Sequence, residues 1–311
     1  MVLLYNFVIK GNNACRGRLF IARDFANLKP TDKKGGNKSI RAMLWFMQDF
    51  TICIVTYNNA AKIAQVARGI TDNIPDKYSY KLHILDNNSP DGTLSHARDI
   101  SPHIELVQTG ANLGFGRAHN RVIAKTPARV HFIVNPDIYI DGPIFGEMYE
   151  FMLENPDIGL AAAGVCSLDG ELQHHGKRNP TFLDLFIRLV MPDRFQKRQA
   201  RYMMLDQDFT GVFDLDVASG CFICARTDVL REIGGFDEKF FLYFEDADLS
   251  HRAKKVSRVV YYPNSHVRHE WNRDSRRNIK MLIIMIKSAM RYLFKWSFGG
   301  IFARANPKLP E

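Results

Sequence analysis

The chain is expected to form an α/β protein on a mainly parallel central sheet. Two features lead there. From Thr51 onward, short β-branched runs alternate with helical stretches, and clusters of Asn, Asp, Gly and Pro stand where several of the runs end. Such alternation implies right-handed crossovers that lay strands parallel and gather their carboxyl ends on one rim, beyond which ligands bind. With 311 residues, 46% of them hydrophobic, the chain can bury the core of one large domain or two smaller ones.

The first strand is Thr51-Ile52-Cys53-Ile54-Val55-Thr56-Tyr57, a continuous run of the kind buried on both faces. A helix follows over residues 60–70. Lys81-Leu82-His83-Ile84-Leu85-Asp86 is the second strand, residues 103–107 the third and residues 130–134 the fourth. Helical segments lie near residues 92–99 and 115–125. Val259-Val260-Tyr261-Tyr262 is a further strand-like stretch. Cys221 and Cys224 form a C-x-x-C around Phe222 and Ile223, but no second pair follows at zinc-ribbon spacing, so a buried strand or strand-like turn is expected. The five cysteines, an odd number in apolar context, argue for a reducing compartment and against a disulfide framework.

Charge is distributed unevenly. Residues 1–47 hold nine Lys/Arg and two Asp/Glu (+7), residues 48–250 hold nineteen and twenty-eight (−9), and residues 251–311 hold fourteen and three (+11). Nucleic-acid binding would place the basic charge on the chemical domain. Here that domain is acidic, so the basic ends read as surface-targeting elements. Residues 1–47 show no strand or helix period and no secretory cleavage site. They are expected to lie outside the fold, as a mis-assigned start, an added leader or a functional arm, with Met43 or Met47 just before the first strand.

The polar clusters carry the chemistry. The first strand runs into Thr56-Tyr57-Asn58-Asn59, the second into Asp86-Asn87-Asn88-Ser89, and the fourth into Asn135-Pro136-Asp137, while Asn112-Leu113-Gly114-Phe115-Gly116 follows the third. Each alone is ordinary turn chemistry; four on one rim describe a site. Gly114-Phe115-Gly116 is a poor dinucleotide fingerprint, because His119 holds the third glycine position and the motif follows the third strand. Further on, Glu245-Asp246 follows the aromatic run Phe240-Phe241-Leu242-Tyr243-Phe244. These acids could simply cap the helix that continues past Leu249. A carboxylate against an apolar wall, however, gains proton affinity and suits a general base.

Thr56-Tyr57-Asn58, Leu85-Asp86-Asn87-Asn88-Ser89, Asn112-Leu113-Gly114-Phe115-Gly116, Asn135-Pro136-Asp137, Gly234-Gly235-Phe236-Asp237-Glu238 and Phe244-Glu245-Asp246-Ala247-Asp248-Leu249 occur in the order seen in family 2 glycosyltransferases. Over roughly residues 50–296 the chain resembles the bacterial rhamnosyltransferase branch, which builds surface polysaccharide on a lipid carrier. The resemblance implies a GT-A fold over residues 48–275, a nucleotide-diphosphate sugar donor, Mg²⁺ or Mn²⁺, and inversion at the anomeric carbon. L-rhamnose from dTDP-rhamnose is the first expectation, moved to a saccharide on a polyprenyl diphosphate in O-antigen, capsule or other surface polysaccharide synthesis.

Residue by residue, the resemblance implies that Asp86 accepts a hydrogen bond from a uracil or thymine imide, with Thr56, Tyr57, Asn58 and Asn88 around the nucleotide. Asn112, Gly114 and Gly116 would shape the loop that lets backbone approach the nucleotide-sugar. Asp137 matches the last acid of the family's metal-binding D-x-D, whose first acid is replaced here by Asn135; His269 is a second candidate ligand. Asp246 is the expected base, with Glu245 binding or orienting the acceptor.

Residues 276–311 are expected to form a basic amphipathic helix and tail. Lys280, Lys287, Arg291 and Lys295 fall within about 80° at the helical 100° per residue, with Ile, Leu, Phe and Trp over much of the rest. The apolar run is too short to span a bilayer. The helix therefore suits either the interface of an anionic membrane, placing the protein peripherally on the cytoplasmic face of the plasma membrane, or packing on the catalytic domain. Two other classes remain open. A nucleotidyltransferase would normally carry a Gly-rich, Lys- or Arg-bearing loop where Asn58-Asn59-Ala60-Ala61 stands, and an inert carbohydrate-binding protein would have little reason to keep Asp137 and Asp246.

Overall fold

The computed structural model describes residues 48–173, 176–270 and 278–296. The expectations for residues 1–47 and for the tail past residue 296 lie outside the described residues. In chain order the strands are β1 (Gln48–Thr56), β2 (Tyr80–Asp86), β3 (Ile104–Gln108), β4 (Ala128–Val134), β5 (Ile138–Tyr139), β6 (Ile158–Cys166), β7 (Leu172–Gln173), β8 (Phe213–Asp214), β9 (Phe222–Arg226) and β10 (Arg258–His269). The helices are α1 (Ile63–Asp72), α2 (Thr93–His96), α3 (Phe115–Ile123), α4 (Ile144–Glu154), α5 (Phe182–Val190), α6 (Gln196–Tyr202), α7 (Thr227–Glu232), α8 (Glu245–Ala253) and α9 (Ile279–Trp296).

The sheet order is β3-β2-β1-β4-β9-β6-β10-β5, with β7 on β6 and β8 on β10. β1, β2, β3 and β4 are parallel neighbours, and β6 and β10 run the same way. The β-branched runs are buried on both faces for a visible reason. Ile52, Ile54, Leu82, Ile84, Phe132 and Val134 point into one apolar layer with Ile63 and Ile70 of α1 and Met148 of α4. Cys53, Val55, Leu85 and Ile133 point into the other, against Phe115 and Val122 of α3 and Leu249 of α8.

Besides the two-residue strands β5, β7 and β8, which pair antiparallel at its margins, one strand inside the sheet departs from the parallel pattern. The Cys221–Cys224 stretch, expected as a buried strand or turn, is the entry and body of β9, which runs antiparallel between β4 and β6. Its register sets Phe222 opposite Val134, so the residues before β9 lie beside those after β4.

α9 packs on the domain through Tyr292 and Leu293, which are buried, while Ile279, Ile283, Ile286 and Met290 face outward. This corrects the expected four-residue basic face. Lys280, Lys287 and Arg291 are exposed, but Lys295 turns inward, 2.7 Å from Asp237 and 2.6 Å from Asp248. Asp248 is fully buried in the first turn of α8 and also takes Arg252 Nε at 2.8 Å and Trp296 Nε1 at 2.9 Å. The desolvated carboxylate draws the cations in, because a buried charge without partners is far costlier than one with them. No helix among the described residues is long and apolar enough to cross a membrane.

Candidate active site

The carboxyl ends of β1, β2 and β4 form the floor of the site. Register pairs Thr56 with Asp86. Thr56 is buried, its hydroxyl lacking a hydrogen-bond partner among the described residues, whereas Tyr57 and Asn58 are exposed above it. Asn58 takes a left-handed φ of 58° and donates its N–H to Ser89 Oγ at 2.8 Å. Asp86 is 2% exposed, and its carboxylate accepts the Ser89 N–H at 2.8 Å and the Ser89 hydroxyl. Asp86 thus organises its own turn, while Asn88, at φ 65°, projects outward.

Asn112, Gly114 and Gly116 have a structural explanation that the sequence did not supply. Asn112 Oδ1 accepts the Gly114 N–H at 3.1 Å, and the Phe115 N–H donates to Phe241 O at 2.9 Å. A Cβ on Gly114, whose φ is 81°, would overlap the Phe241 carbonyl, and one on Gly116 would stand 2.7 Å from Phe236. The glycines let the 112–116 loop press against the segment leading to Glu245. Two asparagines missed in the sequence complete this contact. Asn87 donates to Gly114 O at 3.1 Å, and Asn120 donates to Phe236 O at 2.9 Å while accepting the Phe236 N–H at 2.8 Å. Both lie in or beside the quoted motifs, but their burial, the sign of such a clamp, is invisible in sequence.

Asp137 and His269 are brought together by the antiparallel pairing of β5 with β10, in which Ile138 faces His269. His269 Nε2 lies 3.2 Å from Asp137 Oδ1. Two ligands held at about 2.1 Å by one octahedral ion at right angles lie about 3 Å apart, so the pair fits a shared divalent cation. Asp137 keeps 23% of its side chain exposed, leaving room for further oxygen ligands. Beside it, Lys62 pairs with Glu270 at 2.8 Å, and Glu270 accepts from Tyr139 at 3.1 Å. The Glu270 carboxylate, with smaller help from Tyr139 and Asp137, holds the Lys62 ammonium above its ordinary value. Lys62 is a cation at the rim that sequence reading passed over.

Glu245 and Asp246 open α8 after two consecutive left-handed aromatics, Tyr243 (φ 68°) and Phe244 (φ 66°). Such backbone costs about 1–3 kcal/mol per residue and persists where packing imposes it; here Ser288 of α9 donates to Leu242 O at 2.8 Å and Tyr292 lies against Phe244. The two acids differ. Asp246 is half-buried, accepting the Gly220 N–H at 3.1 Å and the Ala247 N–H at 2.8 Å. Glu245 is 6% exposed, with Oε2 lacking a partner among the described residues. Burial, then the Asp246 charge, pushes the Glu245 carboxyl up to about 8, so it carries a proton at neutral pH.

The strand register joins the two acidic centres. Gly220 bonds Asp246, and the next residue, Cys221, accepts the Asn135 N–H at 2.9 Å. The Cys221 thiol is pushed up to about 11, chiefly by burial, with the charges of Asp137 and Asp246 both adding to it. One tight segment therefore holds the N-P-D turn and the E-D turn on either side. By contrast Cys53, His119 and His131 form a buried cluster between the sheet and α3, with potential ligand atoms within 4.8 Å of one another. Burial depresses both imidazoles, His131 to about 3, and raises the thiol, so these groups are neutral.

Comparisons with known proteins give the family and the fold. The family model for glycosyl transferase family 2 matches residues 51–234, and the chain belongs to that family. A curated relative, the N-acetylglucosaminyl-diphospho-decaprenol L-rhamnosyltransferase of Mycobacterium tuberculosis, is 28% identical over 200 residues, covering 60% of this chain and 65% of the relative. The match thus spans just under two thirds of the relative's length. The fold is GT-A, mixed α/β with a central sheet flanked by helices. Among solved structures, GalNAc-T7 with UDP, GalNAc and Mn²⁺ aligns with a TM-score of 0.59 at 12% identity, over 80% of this chain and 48% of that one. The mannosyltransferase PcManGT of Pyrobaculum calidifontis with GDP-Man and Mn²⁺ aligns at 0.53 and 18% identity, over 79% and 65%, and S. aureus TarS 1–349 with UDP at 0.52 and 15%, over 78% and 65%.

Proposed function

We propose that the protein transfers a sugar, L-rhamnose from dTDP-rhamnose in the first instance, to a saccharide carried on a polyprenyl diphosphate, with inversion, in surface polysaccharide synthesis. The observation that carries this reading is the Gly220-Cys221 segment, which sets the Asp137–His269 pair and the Asp246–Glu245 pair on either side of one short stretch of backbone. The M. tuberculosis relative supports the choice of sugar and carrier.

In the reaction, the acceptor hydroxyl oxygen bonds to the anomeric carbon as the bond from that carbon to the diphosphate oxygen breaks. The electron pair leaves with the nucleoside diphosphate and the hydroxyl proton passes to Asp246. Glu245, protonated at neutral pH, donates a hydrogen bond that orients the acceptor. Asp137 and His269 would hold Mn²⁺ or Mg²⁺; the carboxylate suits either, and the imidazole favours the softer Mn²⁺. When bound, the ion offsets negative charge on the leaving diphosphate. Thr56, Tyr57, Asn58, Asp86 and Asn88 surround the base and ribose, and Asn112, Gly114, Gly116 and Asn135 fix the loops that border the diphosphate. The same reading seats the protein peripherally on the cytoplasmic face of the plasma membrane. The outward Ile279, Ile283, Ile286 and Met290 of α9, beside Lys280, Lys287 and Arg291, support that placement.

The test is a panel of nucleoside-diphosphate sugars with Mn²⁺, scored first by the rise in melting temperature that a native-state ligand causes and then by products. dTDP-rhamnose should raise it and, with a lipid-linked N-acetylglucosamine diphosphate, yield free dTDP and a rhamnosylated lipid. Release of pyrophosphate would indicate nucleotidyl transfer, and absence of turnover with every donor would indicate an inert binding protein.

A further inference from the structure

α5 is amphipathic in the wrong sense for a soluble surface. Phe182, Leu183, Phe186, Leu189 and Val190 are each between 41% and 57% exposed, while its acid, Asp184, is buried. At 100° per residue the five apolar side chains fall within about 120° of the helix circumference. Apolar residues scattered singly on a surface are ordinary, but a contiguous patch marks a contact. The inversion is built in. Thr181 and Asp184 form a capping box, and Asp184 Oδ1 also takes Arg198 Nε at 2.7 Å, so the polar face of α5 is fastened to the protein. Phe195, at the turn into α6, adds a further 57% exposed ring.

The charge beside this face identifies its counterpart. Residues 182–202 hold five Lys/Arg against two Asp within a region, residues 48–250, whose net charge is −9. Arg194, Lys197 and Arg201 are exposed. Arg188 lies over the Tyr202 ring at 5.6 Å. An apolar, aromatic-rich helix edged by cations matches an anionic bilayer, whose acyl boundary accepts the rings and whose headgroups attract the cations. α9 is fastened near the root of α5, because Tyr292 Oη donates to Asn179 Oδ1 at 3.3 Å, two residues before the Thr181 cap.

We infer that α5 is a membrane-docking element, inserting Phe182, Phe186 and Leu189 into the headgroup and acyl boundary of an anionic leaflet. The inference rests on the reading that the acceptor is lipid-linked, and it gives the region between β7 and β8 a role independent of α9. The experiment uses the full chain with vesicles of phosphatidylglycerol and phosphatidylcholine, and with phosphatidylcholine alone. Wild type should co-sediment with the anionic vesicles, and F182S/F186S/L189S should bind them about a thousandfold more weakly, since each of the three apolar side chains buried adds about tenfold. Stabilisation by nucleoside diphosphate and Mn²⁺ should persist in that variant. Phe186→Trp, a conservative exposed change, should show a blue-shifted emission on adding anionic vesicles, which keeps the test intact if the triple variant fails to fold. Unchanged sedimentation of a folded triple variant, an unshifted emission from the Phe186→Trp protein, or a wild-type dimer in solution that the triple variant converts to monomer would overturn the inference. Sugar transfer enters none of these readouts, so failure of the transferase reading would appear separately.

Discussion

Replacing Lys295 with Met separates a structural α9 from one held in place by surface charge. The ammonium sits between Asp237 and Asp248 with 17% of its side chain exposed, and Asp248 is fully buried. Met keeps the aliphatic stem but leaves two carboxylates short of a partner. Breaking a buried pair outright costs about 3–5 kcal/mol. Asp248 retains Arg252 and Trp296, and Asp237 retains the Lys239 N–H, so about 2–4 kcal/mol is expected. For a protein of this size that lowers the melting temperature by roughly 6–12 °C, taking about 3 kcal/mol and 2–4 °C per kcal/mol. Because Asp248 lies in the helix that begins with Glu245 and Asp246, kcat should fall about tenfold with little change in donor KM. The loss should also depend on pH. Burial raises the Asp237 carboxyl, but Lys295 and the Lys239 N–H outweigh it and hold the group below its ordinary value. That contribution is present above the unfolded carboxylate pKa and disappears as pH falls through the folded one, so wild type and variant should converge in acid. Urea and thermal unfolding from pH 3 to 8, with steady-state transfer, measure both effects. A melting temperature within 1 °C of wild type (about 0.3–0.5 kcal/mol) and an unchanged kcat would refute the clamp.

Three further outcomes follow from the site. Glu245 is raised to about 8 from an ordinary 4.5; its protonated form stabilises the fold below the unfolded pKa, and this stability is lost as pH rises toward 8. Glu245→Gln should flatten the melting profile over that window and be the more stable protein at pH 9 by order of 2–4 kcal/mol. Identical pH profiles would place the carboxylate in water. Asp137→Ala should weaken nucleoside-diphosphate binding in Mn²⁺ about tenfold or more while leaving bare nucleoside binding within twofold, measured by calorimetry; equal losses for the two ligands would count against metal coordination. Gly114→Ala meets both a left-handed φ of 81° and the Phe241 carbonyl, so it should destabilise the protein by about 2–4 kcal/mol, and a neutral result in urea unfolding would show that the 112–116 loop does not press on the 236–241 segment.

The legible part of the sequence was the parallel half of the fold. Ile52, Ile54 and Val55 form a run that only a doubly covered strand explains, and β1 to β4 fall within three residues of the boundaries read from it. β6 gave no such signal, because its Ala161-Ala162-Ala163 core is small to admit close neighbours: a Cβ on Gly164 would clash with His266 and Tyr261. The antiparallel β9 was recognised as buried, but its direction is fixed by pairing with residues nearly a hundred positions earlier. The juxtaposition of Asp137 with His269 came from resemblance; the β5–β10 pairing that produces it spans 131 positions from Ile138 to His269. Lys295 was misread because a helical wheel records which residues share a face and not which face meets the protein. α5 escaped notice for the same reason, its apolar content being ordinary until burial shows it turned outward.

The central claim, that Asp246 takes the acceptor proton in an inverting sugar transfer, is tested most directly by Asp246→Asn. The amide is nearly isosteric and can still accept the Gly220 N–H through its oxygen, so the fold and nucleoside-diphosphate binding should stay within about twofold of wild type, while a positioned base contributes roughly 10²–10⁴ in rate. Single-turnover transfer from the donor that wild type uses, with Mn²⁺ saturating, should fall by at least about a hundredfold. Transfer within about tenfold of wild type in a folded, donor-binding variant would contradict the account and remove Asp246 from the chemistry.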